Sequence, residues 1–240
     1  MKITLAQIAP KLNRTNLSKA IKIVEESKKH SDLVVFPELA LSGYLLQDKL
    51  YEDAWSLEEL EELRELSKEV DIAIGAALRD KKNFRNSALY FSGGKLVANH
   101  HKLHLPNYGM FEEARYYSAG SDFESFEVGG KKISMLVCED LWNANMHSEI
   151  YRQDPDLIIV LAASPARGFG NDGLLIQKQW YSLIDAAALN SKSKVVFVNR
   201  VGFEDGLGFW GGSLIVDEQT NILAQLERYD EQVKTFEVNI

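Results

Sequence analysis

The chain has 240 residues, room for one large domain or two small ones. Hydrophobic residues make up 45%, enough for a full core, and the formal net charge of -8 comes with no basic block. A nucleic-acid footprint needs a positive face, so that class is excluded. The single cysteine rules out an internal disulfide and fits a reducing, cytoplasmic setting. No apolar run approaches the ~20 residues of a membrane span, and residues 1–8 read as a strand rather than a signal peptide.

Residues 3–8 predict a first strand, ended by Pro10. Asn16 is expected to cap a helix whose Leu17, Ala20, Ile21 and Val24 share one face. Residues 33–36 form a short continuous apolar run, the pattern of a buried strand. Pro37 ends that strand and Glu38 follows at once. Ser56 and Glu59 have capping-box spacing and open a helix carrying Leu57, Leu60, Leu63, Leu66 and Val70.

Residues 72–78 predict the next strand. Residues 87–91 and 96–99 predict a hairpin around Gly93 and Gly94. A polar loop then holds His100, His101, Lys102 and His104, with Glu112 and Glu113 shortly after. Residues 133–137 are an apolar run that delivers Cys138 to a strand end, followed by Glu139, Asp140 and Trp142. Residues 157–161 predict a buried strand leading into Ala163, Ser164 and Pro165. A helix is expected over 174–190, with Ile176, Trp180, Leu183, Ile184 and Ala187 at helical spacing. Strands are expected at 194–198, 213–216 and 233–238. Strands alternate with helices without a repeat or linker, which predicts one α/β domain over residues 1–240.

Glu38, Lys102 and Cys138 each lie beside a strand end or in a loop just past one, where open α/β sheets gather reactive groups. Singly, each has an ordinary explanation: a turn cap, a solvated lysine, a small core hydrophobe. Together they make a coherent set. A thiol is nucleophilic as the thiolate and needs a base. A partly buried Glu38 can take its proton. Lys102 can stabilise the charge developing on an attacked carbonyl oxygen, with the backbone N–H of Glu139 as a second donor.

The stretches around these residues resemble the signatures of the nitrilase, or carbon–nitrogen hydrolase, superfamily. They are Phe36-Pro37-Glu38 through Gly43-Tyr44, then His101-Lys102-Leu103-His104-Leu105-Pro106, then Leu136-Val137-Cys138-Glu139-Asp140. The likeness continues through Ala163-Ser164-Pro165, the stretch from Asn199 to Gly206, and Phe209 to Ser213. It therefore runs in the family's order along nearly the whole chain. It implies an α-β-β-α sandwich that pairs into four layers, and hence a homodimer or larger homo-oligomer.

The resemblance also implies roles: Glu38 as general base, Lys102 as oxyanion stabiliser and Cys138 as nucleophile. Glu113 matches a second glutamate that positions substrate and lysine, with Glu112 as its neighbour. Tyr44, Tyr108, Glu139, Ser164 and Arg167 are candidate substrate-binding residues. The implied reaction hydrolyses a small linear amide through a cysteine thioester, releases ammonia, and requires no metal or organic cofactor.

Residues 105–116 and 138–142 look most like the glutaminase domain of glutamine-dependent NAD synthetases. Those enzymes continue into an ATP-using domain, and the chain ends at Ile240. Two alternatives are therefore a free-standing amidase and a glutaminase that supplies ammonia to a separate synthetase. The one Ser-Gly-Gly, at Ser92, reads as a hairpin turn. Nitrile hydrolysis is a further alternative, since nitriles pass through similar thioester chemistry. A metal site built from His100, His101, His104 and Cys138 is a rival reading whose spacing fits no common zinc pattern. An inactive scaffold has no need of the full Glu, Lys and Cys set.

Overall fold

Alternation within single strands divides the core. In the Lys2–Gln7 strand, Ile3 and Leu5 face one way and Ala6 the other. The side-chain period of a strand is two, so one strand serves two cores. Ala6, Val34, Phe36, Ile72 and Ile74 pack against helix Asn16–Ser27 and the helical segment around Leu60, Leu63 and Leu66. Ile3, Leu5, Leu33, Val35 and Ala73 instead meet Ile133, Met135, Val137, Ile159 and Val196 of a second sheet. The far face of that sheet, with Leu136, Ile158, Val160 and Phe197, is covered by helices Ala144–Gln153 and Leu175–Ser191. The result is the expected α-β-β-α sandwich. Each fully buried Leu or Ile in these layers contributes about 1.5–3 kcal/mol.

This computed structural model describes residues 1–171 and 173–240. Its first sheet has six strands in the order Gln232–Glu237, Lys2–Gln7, Leu33–Val35, Asp71–Asp80, Asn83–Ser92 and Lys95–His101. The second runs Ile222–Gln225, Leu214–Val216, Lys194–Asn199, Leu157–Ala162, Lys131–Val137 and Phe126–Val128. Each sheet has three parallel strands at its centre and antiparallel strands outside. Strand Lys95–His101 follows two antiparallel steps, so it again points the same way as Asp71–Asp80. The residues after Val35, His101, Val137, Ala162 and Asn199 therefore emerge at one end of the sandwich.

The hairpin turn at Gly93 and Gly94 has φ of 57° and 76°. Two consecutive left-handed residues suit the twist of a two-residue hairpin, and glycine adopts them without strain. The Ser56 box is present, with Glu59 Oε2 accepting the Ser56 N–H at 2.8 Å, and it opens a short 3₁₀ turn before helix Glu61–Leu66.

Asn16 does not cap its helix. It is the first helical residue, after Thr15, and its side chain ties down the preceding loop by accepting from Lys11 N–H and donating to Lys11 and Asn13 carbonyls. Helix Ala144–Gln153 is an element the apolar pattern does not announce. Only Met146 and Ile150 of its ten residues are buried, and Asn143 caps it by accepting from Asn145 N–H at 2.9 Å.

Candidate active site

Two residues at the shared sheet end have left-handed backbone without being glycine: Leu39 at φ 50° and Cys138 at φ 45°. Such strain persists only where the surroundings enforce it. At Cys138 the Lys131–Val137 strand turns sharply into a 3₁₀ segment. At Leu39 the chain turns after Glu38 and lies directly on Gly75. A Cβ at Gly75 would meet Pro37 O at 2.4 Å, Leu39 N at 2.5 Å and Glu38 Cα at 2.7 Å, all of them backbone. The bare glycine lets the neighbouring strand approach close enough to fix where Glu38 points.

Glu38 is wholly buried and three donors fill it. Lys102 Nζ and Asn86 Nδ2 each donate to Oε1 at 2.7 Å, and the Ala163 N–H donates to Oε2 at 2.7 Å. Lys102, also buried, gives a second 2.7 Å bond to Glu113 Oε1, which takes another from Tyr44 OH at 2.6 Å. Glu112 is turned outward beside Arg115, so the buried member of that acidic pair is Glu113. Cys138 completes the group within electrostatic reach of Glu38, Lys102 and Glu113. It lines a narrow pocket of about 20 Å³ together with Tyr44, Glu113, Glu139, Ser164 and Arg167.

The charges are unevenly balanced. Burial alone would push Lys102 down, but the Glu113 and Glu38 carboxylates outweigh it and hold its ammonium well above the lysine range. Burial pushes the Cys138 thiol up, and Glu38 adds to that, while Lys102 and the Ala163 N–H oppose it. The resting thiol is therefore protonated at neutral pH. Glu113 is pushed up to about 7, mainly by burial, with Lys102 opposing and Glu38 adding to the shift.

That last shift has a consequence for stability. Between about pH 4.5 and 7 the native protein keeps a proton that the unfolded chain has released. Stability then falls as pH rises through that window and levels off above it, by an amount on the order of 3 kcal/mol. Glu113→Gln removes the titration. In urea unfolding, the stability of the wild type relative to Glu113→Gln is expected to drop between pH 5 and pH 8. An equal gap at both pH values would show that Glu113 does not titrate in this window.

The other expected pocket residues divide by what their polar atoms already do. Tyr44 is committed to Glu113. The Ser164 hydroxyl oxygen accepts from Trp180 Nε1 at 2.8 Å and Trp210 Nε1 at 3.2 Å, and its N–H donates to Asn199 Oδ1, so it is largely a packing joint. Tyr108, half exposed, donates to Glu139 at 2.9 Å. Arg167 lies over the Phe111 ring at 5.4 Å, with its Nε buried and no acceptor for it among the described residues.

The histidines point elsewhere than to Cys138. His100 and His104 meet Asp140, and His101 meets Ser87 Oγ. Among the described residues, no group of three His, Cys, Asp or Glu side chains is arranged to hold a metal ion.

The sequence reading missed four contributors. Asn86 holds Glu38 from mid-strand, a position with no local signal, and the Ala163 N–H holds it from a strand end inside one of the family-like stretches. Arg200 and Glu204 form a buried pair at 2.7 Å, and Glu204 Oε1 accepts from the Tyr44 N–H at 2.8 Å and the Leu45 N–H at 2.5 Å. The Arg200 guanidinium sits 4.1 Å over the Phe209 ring, which packs edge-on against Tyr44. This knot anchors the backbone of the tyrosine that contacts Glu113.

A family model described as carbon–nitrogen hydrolase matches residues 2–240. The chain belongs to that family. It is 29% identical over its full length to a glutamine-dependent NAD(+) synthetase from Acinetobacter baylyi, covering 44% of that protein. A Thermotoga maritima protein of the same name is also 29% identical, with 42% covered. The chain thus spans less than half the length of these curated relatives. Among solved structures, the glutamine-dependent NAD+ synthetase from Acinetobacter baumannii superposes with a TM-score of 0.84 at 27% identity, over 98% of this chain and 44% of that one. A nitrilase-superfamily amidase from Nesterenkonia shares the fold at a TM-score of 0.82 and 22% identity, with 99% of this chain and 90% of that one covered. As a carbon–nitrogen hydrolase, the protein is an enzyme acting on amide C–N bonds. Among the described residues no helix is long and apolar enough to cross a membrane.

Proposed function

We propose that this carbon–nitrogen hydrolase is an amidohydrolase for the side-chain amide of an amino acid, with glutamine as the substrate. The observation that carries this is the pair of opposite charges on one pocket. Arg167 and Glu139 both line the cavity that Cys138 faces, and the Arg167 Nε is buried without an acceptor among the described residues. An amino-acid substrate brings the matching groups: its carboxylate to the guanidinium and its ammonium to Glu139. A guanidinium–carboxylate contact is the stronger kind of hydrogen bond. The narrowness of the pocket favours a linear acyl chain over a bulky one.

In this reading Glu38 takes the Cys138 proton as Sγ attacks the amide carbon. The oxyanion forms against Lys102 Nζ, which is already held at Glu38 and Glu113. Glu38 returns the proton to the leaving nitrogen, ammonia departs and a thioester remains. Water, deprotonated by Glu38, then attacks the thioester, leaving glutamate and the free thiol. The names of the curated relatives fit delivery of that ammonia to an ammonia-consuming synthetase.

A second reading, a small aliphatic amidase, is favoured by the shared fold with the Nesterenkonia amidase. The deciding assay measures ammonia released from glutamine, propionamide and butyramide, with Cys138→Ala as blank. Glutamine is expected to be the preferred substrate. Arg167→Leu is expected to raise its KM by about 10-fold or more, the cost of one charged hydrogen bond, with kcat little changed. Turnover of propionamide with glutamine ignored would replace the glutamine reading with the aliphatic one.

A further inference from the structure

Asp140 lies two residues past Cys138 and is wholly buried. No lysine or arginine pairs with it among the described residues, yet five donors converge on it. Oδ1 accepts from the Leu103 and His104 N–H groups, both at 2.9 Å, and from His104 Nδ1 at 3.2 Å. Oδ2 accepts from His100 Nε2 at 2.9 Å and from the Val137 N–H at 3.1 Å. Both ring nitrogens are donors here, because an ionised carboxylate can only accept. Burial works against the charge, but the His100 and His104 hydrogen bonds outweigh it and hold the carboxyl far below its usual range.

The positions of the donors give the carboxylate a purpose. Val137 immediately precedes Cys138. Leu103 immediately follows Lys102. Asp140 thus bonds the backbone on one side of the nucleophile to the backbone on one side of the lysine, across two sheets that no strand pairing connects. Cys138 is held in a left-handed conformation that needs enforcement. We infer that Asp140 is a positioning residue, clamping the cysteine turn to the lysine loop and so setting the register between the Cys138 thiol and the Lys102 ammonium. Displacements of about 1 Å in such a register cost on the order of 100-fold in rate.

Asparagine at this position is nearly isosteric but cannot satisfy the same donors. With its oxygen at the Oδ1 site, its NH₂ faces the Val137 N–H. With its oxygen at the Oδ2 site, its NH₂ faces the Leu103 and His104 N–H groups. Either way one half of the clamp becomes donor against donor, and rotation of the amide does not repair it.

The test is steady-state ammonia release by Asp140→Asn, normalised to folded protein by circular dichroism and assayed well below its Tm. The expected result is kcat at least 100-fold lower with KM within 3-fold of wild type. A lowered Tm with kcat per folded molecule within 3-fold of wild type would make Asp140 a stability residue and overturn the inference. Should Asp140→Asn fail to fold, His100→Ala decides. It removes one of the two donors on Oδ2 while leaving every backbone donor in place, and kcat about 10-fold lower at unchanged KM is expected, whereas wild-type kcat overturns the clamp. The kinetic arm rests on the amide-hydrolysis reading above. If the wild type releases no ammonia from any amide, that reading fails by itself, and Asp140 is then read from the rate of Cys138 alkylation by iodoacetamide. A rate about 10-fold lower in the variant supports the clamp, and equal rates overturn it.

Discussion

Replacing Glu38 by glutamine is expected to lower kcat by about 10³-fold while the Cys138 thiol titrates at a lower pH than in the wild type. The two effects have one source. Glu38 is the carboxylate proposed to accept the thiol proton, and loss of a general base costs about 10²–10⁴ in rate. The same carboxylate is a negative charge that pushes the thiol up, while Lys102 pulls it down. Without Glu38, burial and Glu113 still push the thiol up, but Lys102 is opposed by one carboxylate fewer, so the thiolate forms more readily even as turnover collapses. Thiolate absorbance or iodoacetamide reactivity against pH, measured beside ammonia release, separates the two. Upward movement of the thiol titration in Glu38→Gln would exclude Glu38 as a charge acting on Cys138. Folding suffers as well. Whichever way the new amide turns, its NH₂ faces either the Ala163 N–H or the Lys102 and Asn86 donors. A buried donor left unpaired costs about 1–3 kcal/mol.

Lys102→Met is expected to be damaging in a different pattern. Among the described residues the ammonium is the only cation bonded to the buried pair Glu38 and Glu113, each at 2.7 Å. Breaking a buried ion pair from one side costs about 3–5 kcal/mol, because the orphaned carboxylates remain out of water. One of them is expected to protonate, so the loss should be larger at pH 8 than at pH 5. The thiol should now titrate higher than in the wild type, opposite to Glu38→Gln. Turnover should fall by about 10²–10³ if Lys102 meets the oxyanion. Urea unfolding at the two pH values and the thiol titration check the electrostatics independently of any substrate. A Lys102→Met protein as stable as wild type at pH 8 would contradict the charge balance described here.

Much of this was legible in the chain. Runs such as 33–36 and 157–161 are apolar without alternation because both faces of those strands are covered, and that pattern is local. Cys138, Lys102 and Glu38 stand out because each chemical type follows a strand-like run, and their stretches carry the superfamily's likeness. Helix Ala144–Gln153 was not legible, since two buried side chains make too thin a stripe to register.

The order of residues alone carries the inventory: which strands are buried on both faces, where they end, and which reactive types wait at those ends. How those types are held was left to the packed fold. That fold chose Glu113 over Glu112 by burying one against Lys102 and turning the other out beside Arg115. It withdrew Ser164 into an indole contact and turned His100 and His104 from a possible metal set into donors for Asp140. It brought Asn86 into play at a position with no local mark, and gave Ala163, Arg200 and Glu204, which lie inside family-like stretches, partners that no local pattern names. The reason is physical. Periodicity records burial within one element, whereas a hydrogen bond between residues 38 and 163, or 103 and 140, exists only once two separately formed sheets have packed face to face.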